Sequence, residues 1–146
     1  MAGSDRRKRT APAEPGPAFI LVNPQLAVNI GTAARAMLNC ALGDLRLVAP
    51  RTGWPNDKAV PAAAGADSLL HAAKLYGSTE RAVADLNYVV ATTARERYMA
   101  KPILTPREAV KELRVRVAAG QKCGVLFGAE RIGLVNDDLA LADALV

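Results

Sequence analysis

The sequence predicts an α/β domain built on a parallel sheet, and three observations carry that prediction. A continuous apolar run, AFILV at 18–22, and the segment KCGVLF at 122–127, apolar after its lysine, lack the polar alternation of a half-exposed strand. Strands of that kind are covered on both faces, as in parallel sheets. Between such runs the periodicity turns helical: Ile30, Ala33, Ala34, Met37, Leu38 and Ala41 form one apolar stripe. The links between runs are short and carry breakers, Asn23-Pro24 and Gly43, so strand, helix and strand make a crossover, nearly always right-handed and parallel. With 146 residues, 51% hydrophobic and 23% charged, the chain suits one domain with a sizeable core.

Residues 1–17 stand apart. SDRRKRT followed by APAEPGP cannot bury enough apolar surface to offset its ordering entropy. The segment reads as a disordered tail, either a solubilising charge cluster or an electrostatic tether for RNA, and the folded domain is expected at 18–146. The first strand, 18–22, ends at Asn23-Pro24, because the residue before proline avoids helix and proline lacks a donor. The helix that follows is expected to start at Asn29, whose side chain suits an N-cap, and to stop near Gly43. Gly31 and its alanine neighbours keep it slim, permitting close approach of another backbone or a ligand. Asp44–Ala49 is the second strand. PRTGWPNDKAVP at 50–61 is a loop, where Trp54 anchors the loop or stacks on a base. Residues 62–76 read as one helix closed by Gly77, and Ser78-Thr79-Glu80 caps a short one.

Asn87–Thr92 is a third strand, and Thr105-Pro106-Arg107-Glu108 opens a helix with a capping box and proline at the first helical position. That helix ends at Gly120, and Lys122–Phe127 is the fourth strand. Asn136 is expected to cap a last helix, and the closing ALV looks like the start of a fifth strand.

Chemistry-bearing residues gather at two of these strand ends, where open α/β sheets bind ligands. Thr92 and Thr93 offer hydroxyls and backbone groups, and Arg95, Arg97 and Lys101 make the loop beyond them basic, with Tyr98 interleaved. That mixture suits phosphate contact and base stacking, or a plain solvated loop. After the fourth strand, Gly128 lets the backbone approach a ligand, Glu130 is placed to hold a cation or to orient Arg131 or Arg35, and Gly133 permits a left-handed turn. Arg35 shares a helix face with Thr32 and Asn39, either as part of an anion site at the helix start or as a solvated arginine.

Composition narrows the classes. The net charge of +5 is compatible with a polyanionic partner. Cys40 and Cys123 lie among apolar neighbours, outside any CxxC pair and away from His71, so buried free thiols are expected, with no metal site. No apolar run reaches the length of a membrane span and no signal-peptide region is present, which makes the cytoplasm the expected address.

Taken together and in order, Asn29-Ile30-Gly31-Thr32-Ala33-Ala34-Arg35-Ala36-Met37, Ala91-Thr92-Thr93-Ala94-Arg95, Pro106-Arg107-Glu108 and Phe127-Gly128-Ala129-Glu130-Arg131-Ile132-Gly133-Leu134 carry a resemblance. The chain resembles the SPOUT class of S-adenosylmethionine-dependent RNA methyltransferases, over about 18–145. It is closest to the branch that methylates the ribose 2′-oxygen at position 32 of the tRNA anticodon loop. The resemblance implies a parallel-sheet α/β knot fold working as a homodimer, with the active site between subunits. It implies catalytic roles for Asn29, Arg35 and Glu130, and S-adenosylmethionine as cofactor held by Thr92, Thr93, Ala94 and Gly128. Arg95, Arg97, Lys101 and Arg131 then become RNA contacts. The resemblance implies that the arginine activates the ribose hydroxyl with help from an RNA phosphate. Because its pKa is very high, it needs a desolvated site beside that phosphate to do so, or else it acts mainly by positioning the ribose and stabilising the forming alkoxide, the physically safer role.

The family's third motif, with a Ser-Leu-Asn core, is expected just after Val146 and is not in this chain. The C-terminal knot segment is therefore expected to be absent or incomplete, and cofactor binding by these 146 residues to be weak. Two alternatives stay open: a sister enzyme acting on ribosomal RNA, and a non-catalytic RNA-binding or dimerisation module on the same scaffold.

Overall fold

The computed structural model describes residues 16–94 and 100–146. Its sheet has six strands, all parallel, in the order β3-β2-β1-β5-β4-β6. In chain order the elements are β1 (Ala18–Val22), α1 (Ala27–Asn39), β2 (Leu45–Val48), α2 (Ala59–Ala63), α3 (Asp67–Ala72), β3 (Lys74–Tyr76), α4 (Thr79–Val83), β4 (Tyr88–Ala91), α5 (Pro106–Ala118), β5 (Cys123–Phe127), α6 (Asn136–Ala140) and β6 (Ala144–Leu145). The α/β class and parallel sheet expected from the apolar runs are what the chain forms. β2 and β4 are buried along their whole length, which is why their sequences show no alternation.

Each sheet face has its own core. On one face Leu45 and Leu47 pack with Ile30, Ala34 and Met37 of α1 and with Ala59 and Leu69 of α2 and α3. Further along the same face α5 lays Ala109 and Leu113 on Tyr88, Val90 and Val125. Phe19 belongs to both groups and stacks on Phe127 at 5.7 Å between ring centroids. On the opposite face Ile20, Val22, Val48 and Leu126 pack with Ala82 of α4 and Leu139 of α6. Trp54 is half-buried against the α1 core, the loop-anchoring role.

Several expectations are corrected. Asn29 is not the cap of α1: the N-cap is Leu26, which has no side-chain oxygen, and Asn29 lies inside the first turn. The same helix ends at Asn39, with Cys40 as its C-cap and Ala41, rather than Gly43, as the left-handed residue that closes it. Ala41 takes φ 56°, and the amides of Ala41 and Leu42 return to the carbonyls of Leu38 and Met37 at 3.2 and 2.9 Å, a Schellman motif with alanine in the left-handed position. The single helix expected over 62–76 is two helices and a strand. Ala64 (φ 46°) and Gly65 (φ 97°) break the helix, and the open edge of β2 recruits Lys74, Leu75 and Tyr76 as a sixth strand. A helix-like alanine pattern yields there to a backbone ladder that only tertiary proximity offers. Asn136 is the first residue of α6, with Val135 as its cap. Cys40 is exposed, because it sits past the last buried turn of α1, whereas Cys123 is buried as expected. The capping box of α5 is present in full, with Thr105 Oγ1 accepting from Glu108 N at 3.2 Å and Glu108 Oε2 accepting from Thr105 N at 2.7 Å.

Candidate active-site cleft

β4 and β5 are neighbours in the sheet, so the segments that leave their carboxyl ends leave side by side. Between them opens a cleft of about 480 Å³, lined by Thr92, Thr93, Ala94, Gly128, Glu130 and Arg131, with Leu134 and Val146 contributing apolar surface. That volume lies within the range of small-molecule sites. Six residues singled out in the sequence thus meet in one place. The larger groove, about 720 Å³ between α5 and the β4–β6 edge, is lined by Tyr88, Lys111 and Arg116 among others and by none of the proposed site residues.

Backbone geometry builds the cleft. Thr92 donates both its amide and its hydroxyl to the carbonyl of Leu126, at 3.0 and 2.9 Å, so the hydroxyl ties β4 to β5 instead of standing free. Thr93 N donates to Val146 O at 2.9 Å, which fixes the other wall to β6. The turn after β5 folds back on itself: Gly133 N donates to Ala129 O at 2.9 Å, and Gly133 takes φ 70°. Gly128 is required by that fold. A Cβ there would stand 2.2 Å from Gly133 C and from Leu134 N, so its missing side chain serves the chain's own backbone before any ligand.

Glu130 takes a role the sequence did not suggest. Its carboxylate accepts from Gln25 N (3.0 and 2.9 Å) and from Leu26 N (2.8 Å), the two amides at the entry of α1. Among the described residues it pairs with neither Arg35 nor Arg131, and Arg131 is exposed on the cleft's rim. Lys101 is half-buried and donates from Nζ to the carbonyls of Ala140 (2.9 Å) and Ala142, clipping its loop onto the α6–β6 turn. Arg95 and Arg97 lie outside the described residues.

Asn29 and Arg35 are not among the cleft-lining residues of their own chain. Asn29 is half-buried, and its carbonyl accepts from Thr32 Oγ1 at 3.0 Å. Arg35 is exposed, nine residues beyond Leu26 and therefore about 13 Å further along the helix axis. What sequence reasoning missed is Val146 in the cleft lining and, behind the cleft, the amides of Gln25 and Leu26 that take up Glu130. One signal was readable, since PQLAVN offers α1 neither a capping hydroxyl nor an acidic first turn.

Among the described residues no group of His, Cys, Asp and Glu could hold a metal ion, and no helix is long and apolar enough to cross a membrane.

Residues 17–146 match the SpoU rRNA Methylase family. A tRNA (cytidine/uridine/adenosine-2′-O-)-methyltransferase TrmJ from Pseudomonas aeruginosa is 38% identical over 120 residues, 82% of this chain and 46% of the relative. The crystal structure of TrmJ from Z. mobilis ZM4 is 52% identical and superposes with a TM-score of 0.84, over 90% of this chain and 57% of that one. A probable methylase family protein from Haemophilus influenzae is 33% identical with a TM-score of 0.79, over 88% of this chain and 53% of the other. The chain spans about half the length of the curated relatives it matches.

Proposed function

The chain belongs to the SpoU rRNA Methylase family, and on that premise we propose that it is an RNA 2′-O-ribose methyltransferase acting on tRNA, at position 32 of the anticodon loop. The observation that carries this reading is the meeting of the Thr92–Ala94 and Gly128–Leu134 segments at the carboxyl ends of adjacent parallel strands. Small side chains and backbone groups dominate that cleft, a lining that suits a nucleoside edge approached by main-chain atoms.

In this reading S-adenosylmethionine occupies the cleft, held by Thr92, Thr93, Ala94 and Gly128 through main-chain groups, since the Thr92 hydroxyl is already bonded to Leu126 O. When bound it supplies an activated methyl group on a sulfonium. The chain's own work is then to align the ribose 2′-oxygen, exclude water and stabilise charge as the hydroxyl loses its proton. Leu134 and Val146 give the cleft its apolar, water-excluding side. Arg131, exposed on the rim, is in this reading a contact to an RNA phosphate.

The assembly in this reading is a homodimer, in which the partner subunit's Arg35 completes the cleft. Two features support it. Arg35 lies outside the cleft of its own chain, and Leu26, Val28 and Ile132 expose large apolar side chains at the α1 entry and on the cleft turn. The enzyme is proposed to work in the cytoplasm without a metal.

The test is incubation of the chain with unmodified tRNA and radiolabelled S-adenosylmethionine, followed by mapping of the labelled nucleotide. Label at a ribose 2′-oxygen of the anticodon loop, abolished by Arg35→Ala, is the expected result. Salt-dependent tRNA binding without label would replace the enzyme by a binding module, and label only in ribosomal RNA would redirect the substrate.

A further inference from the structure

The helix α1 carries both Asn29 and Arg35, yet it has nothing of its own to fix where it begins. Its N-cap is Leu26, no side chain caps it, and its first turn holds no acid. The contrast with α5 is instructive. In α5 the residue at the third helical position, Glu108, reaches back to the N-cap amide of Thr105. In α1 the third helical position is Asn29, and the N-cap amide of Leu26 is instead taken by Glu130, a carboxylate 104 residues away. Its second contact, on Gln25 N, extends the grip one residue outward. Glu130 is thus the missing half of a capping box, supplied by a distant part of the same chain.

Its position gives the contact a purpose. β1 and β5 are adjacent, but the chain leaves them in opposite directions: α1 covers one sheet face and α6 the other. Such a parting of ways opens a crevice at the strand ends. Glu130 spans it, from the turn that lines the cleft to the first residues of the helix that carries Arg35. A negative group at the α1 N-terminus is also where the helix dipole favours one.

Building on the methyltransferase reading, we propose that Glu130 is a positioning residue and not a catalytic one: it pins the start of α1 to the cofactor cleft of its own chain and so sets the placement of Asn29 and of Arg35, the residue this helix lends to the cleft of the second subunit. It makes no contact with the reacting atoms.

The experiment compares the wild-type chain with Glu130→Ala and, should that variant fold poorly, Glu130→Gln, which keeps one acceptor oxygen but turns an N–H donor toward the same amides. Methyl transfer is measured well below the melting temperature, alongside residue-resolved amide exchange. The expected result is faster exchange at Gln25 and Leu26 with α5 unchanged, and a fall in kcat of up to about 100-fold with KM for tRNA unaltered. A fall in kcat without any change in exchange at Gln25 and Leu26 would overturn the proposal in favour of direct contact with substrate. A lower melting temperature with kcat intact would overturn it in favour of a purely structural strut. A wild-type chain that transfers no methyl group would instead overturn the proposed function, and this inference with it.

Discussion

Arg46 reaches from the middle of β2 to Asp85, beyond the end of α4, and holds both of its carboxylate oxygens, at 2.5 and 3.1 Å. Arg46 is 3% exposed in an otherwise apolar strand. It also takes Asp44, at 3.1 and 2.9 Å, and donates to the carbonyl of Ala82 at 2.8 Å. Burial works against its charge, but the hydrogen bonds and charges of Asp44 and Asp85 outweigh burial and hold the guanidinium protonated beyond its ordinary range. Three of its contacts, to Ala82 and to both oxygens of Asp85, tie β2 to α4 and its end on the face opposite α1, which makes it the polar keystone of an apolar layer. Arg46→Met leaves the Ala82 carbonyl and two carboxylates without their donor. It is expected to lower stability by about 2–3 kcal/mol. Asp85→Asn, at a site 46% exposed, is expected to cost about 1 kcal/mol. Urea unfolding of the two variants checks the order, and equal losses would contradict it.

The same pair sets an acid limit. The hydrogen bond from Arg46 holds the Asp85 carboxyl below the usual carboxylate range. A carboxyl lowered in the folded state contributes stability above its unfolded value, near pH 4, and loses it as pH falls through the folded value. At the alkaline end, burial raises both Cys123 and Tyr88. Their contribution is complete below the unfolded values, about 8.5 and 10, and is lost as pH rises toward the folded ones. Thermal melts are expected to be flat between about pH 5 and 8 in these contributions, to fall below pH 4 less steeply in Asp85→Asn, and to fall above pH 8.5 less steeply in Cys123→Ala. Parallel curves for wild type and both variants would remove these groups from the account.

Gly31 is where α1 touches α2. A Cβ at Gly31 would lie 2.1 Å from Ala59 O and 2.9 Å from Ala62 Cβ, so the two helices can meet only because that side chain is missing. Alanine favours a helix interior by up to about 1 kcal/mol over glycine, but here overpacking against a backbone carbonyl outweighs that gain. Gly31→Ala is expected to destabilise the chain by about 2 kcal/mol, read as a lower melting temperature. A gain in stability would show that α2 can move aside freely.

Much of the architecture was legible before any coordinates. β1 was predicted to the residue, because AFILV is bounded by Pro17 and Asn23-Pro24. The start of α5 was equally plain, since Thr105, Pro106 and Glu108 are local signals that need no distant partner. The two strand-end segments that line the cleft were singled out because their residue types and their place after apolar runs depend only on nearby sequence. β3 was not, since Lys74–Tyr76 is three residues attached to an alanine-rich run and becomes a strand only beside β2.

The amino-acid sequence by itself determined which segments are buried strands, where α5 begins, and which residue types wait at the ends of β4 and β5. These are matters of periodicity and of contacts within a few residues, and they are written along the chain. The tertiary structure alone decided that Glu130 caps α1, that Arg46 is answered by Asp44 and Asp85, and that Gly128 makes room for its own turn. The Glu130–Leu26 and Arg46–Asp85 contacts join groups 104 and 39 residues apart, and hydrogen bonds and steric exclusion act over a few ångströms of space whatever the separation in sequence.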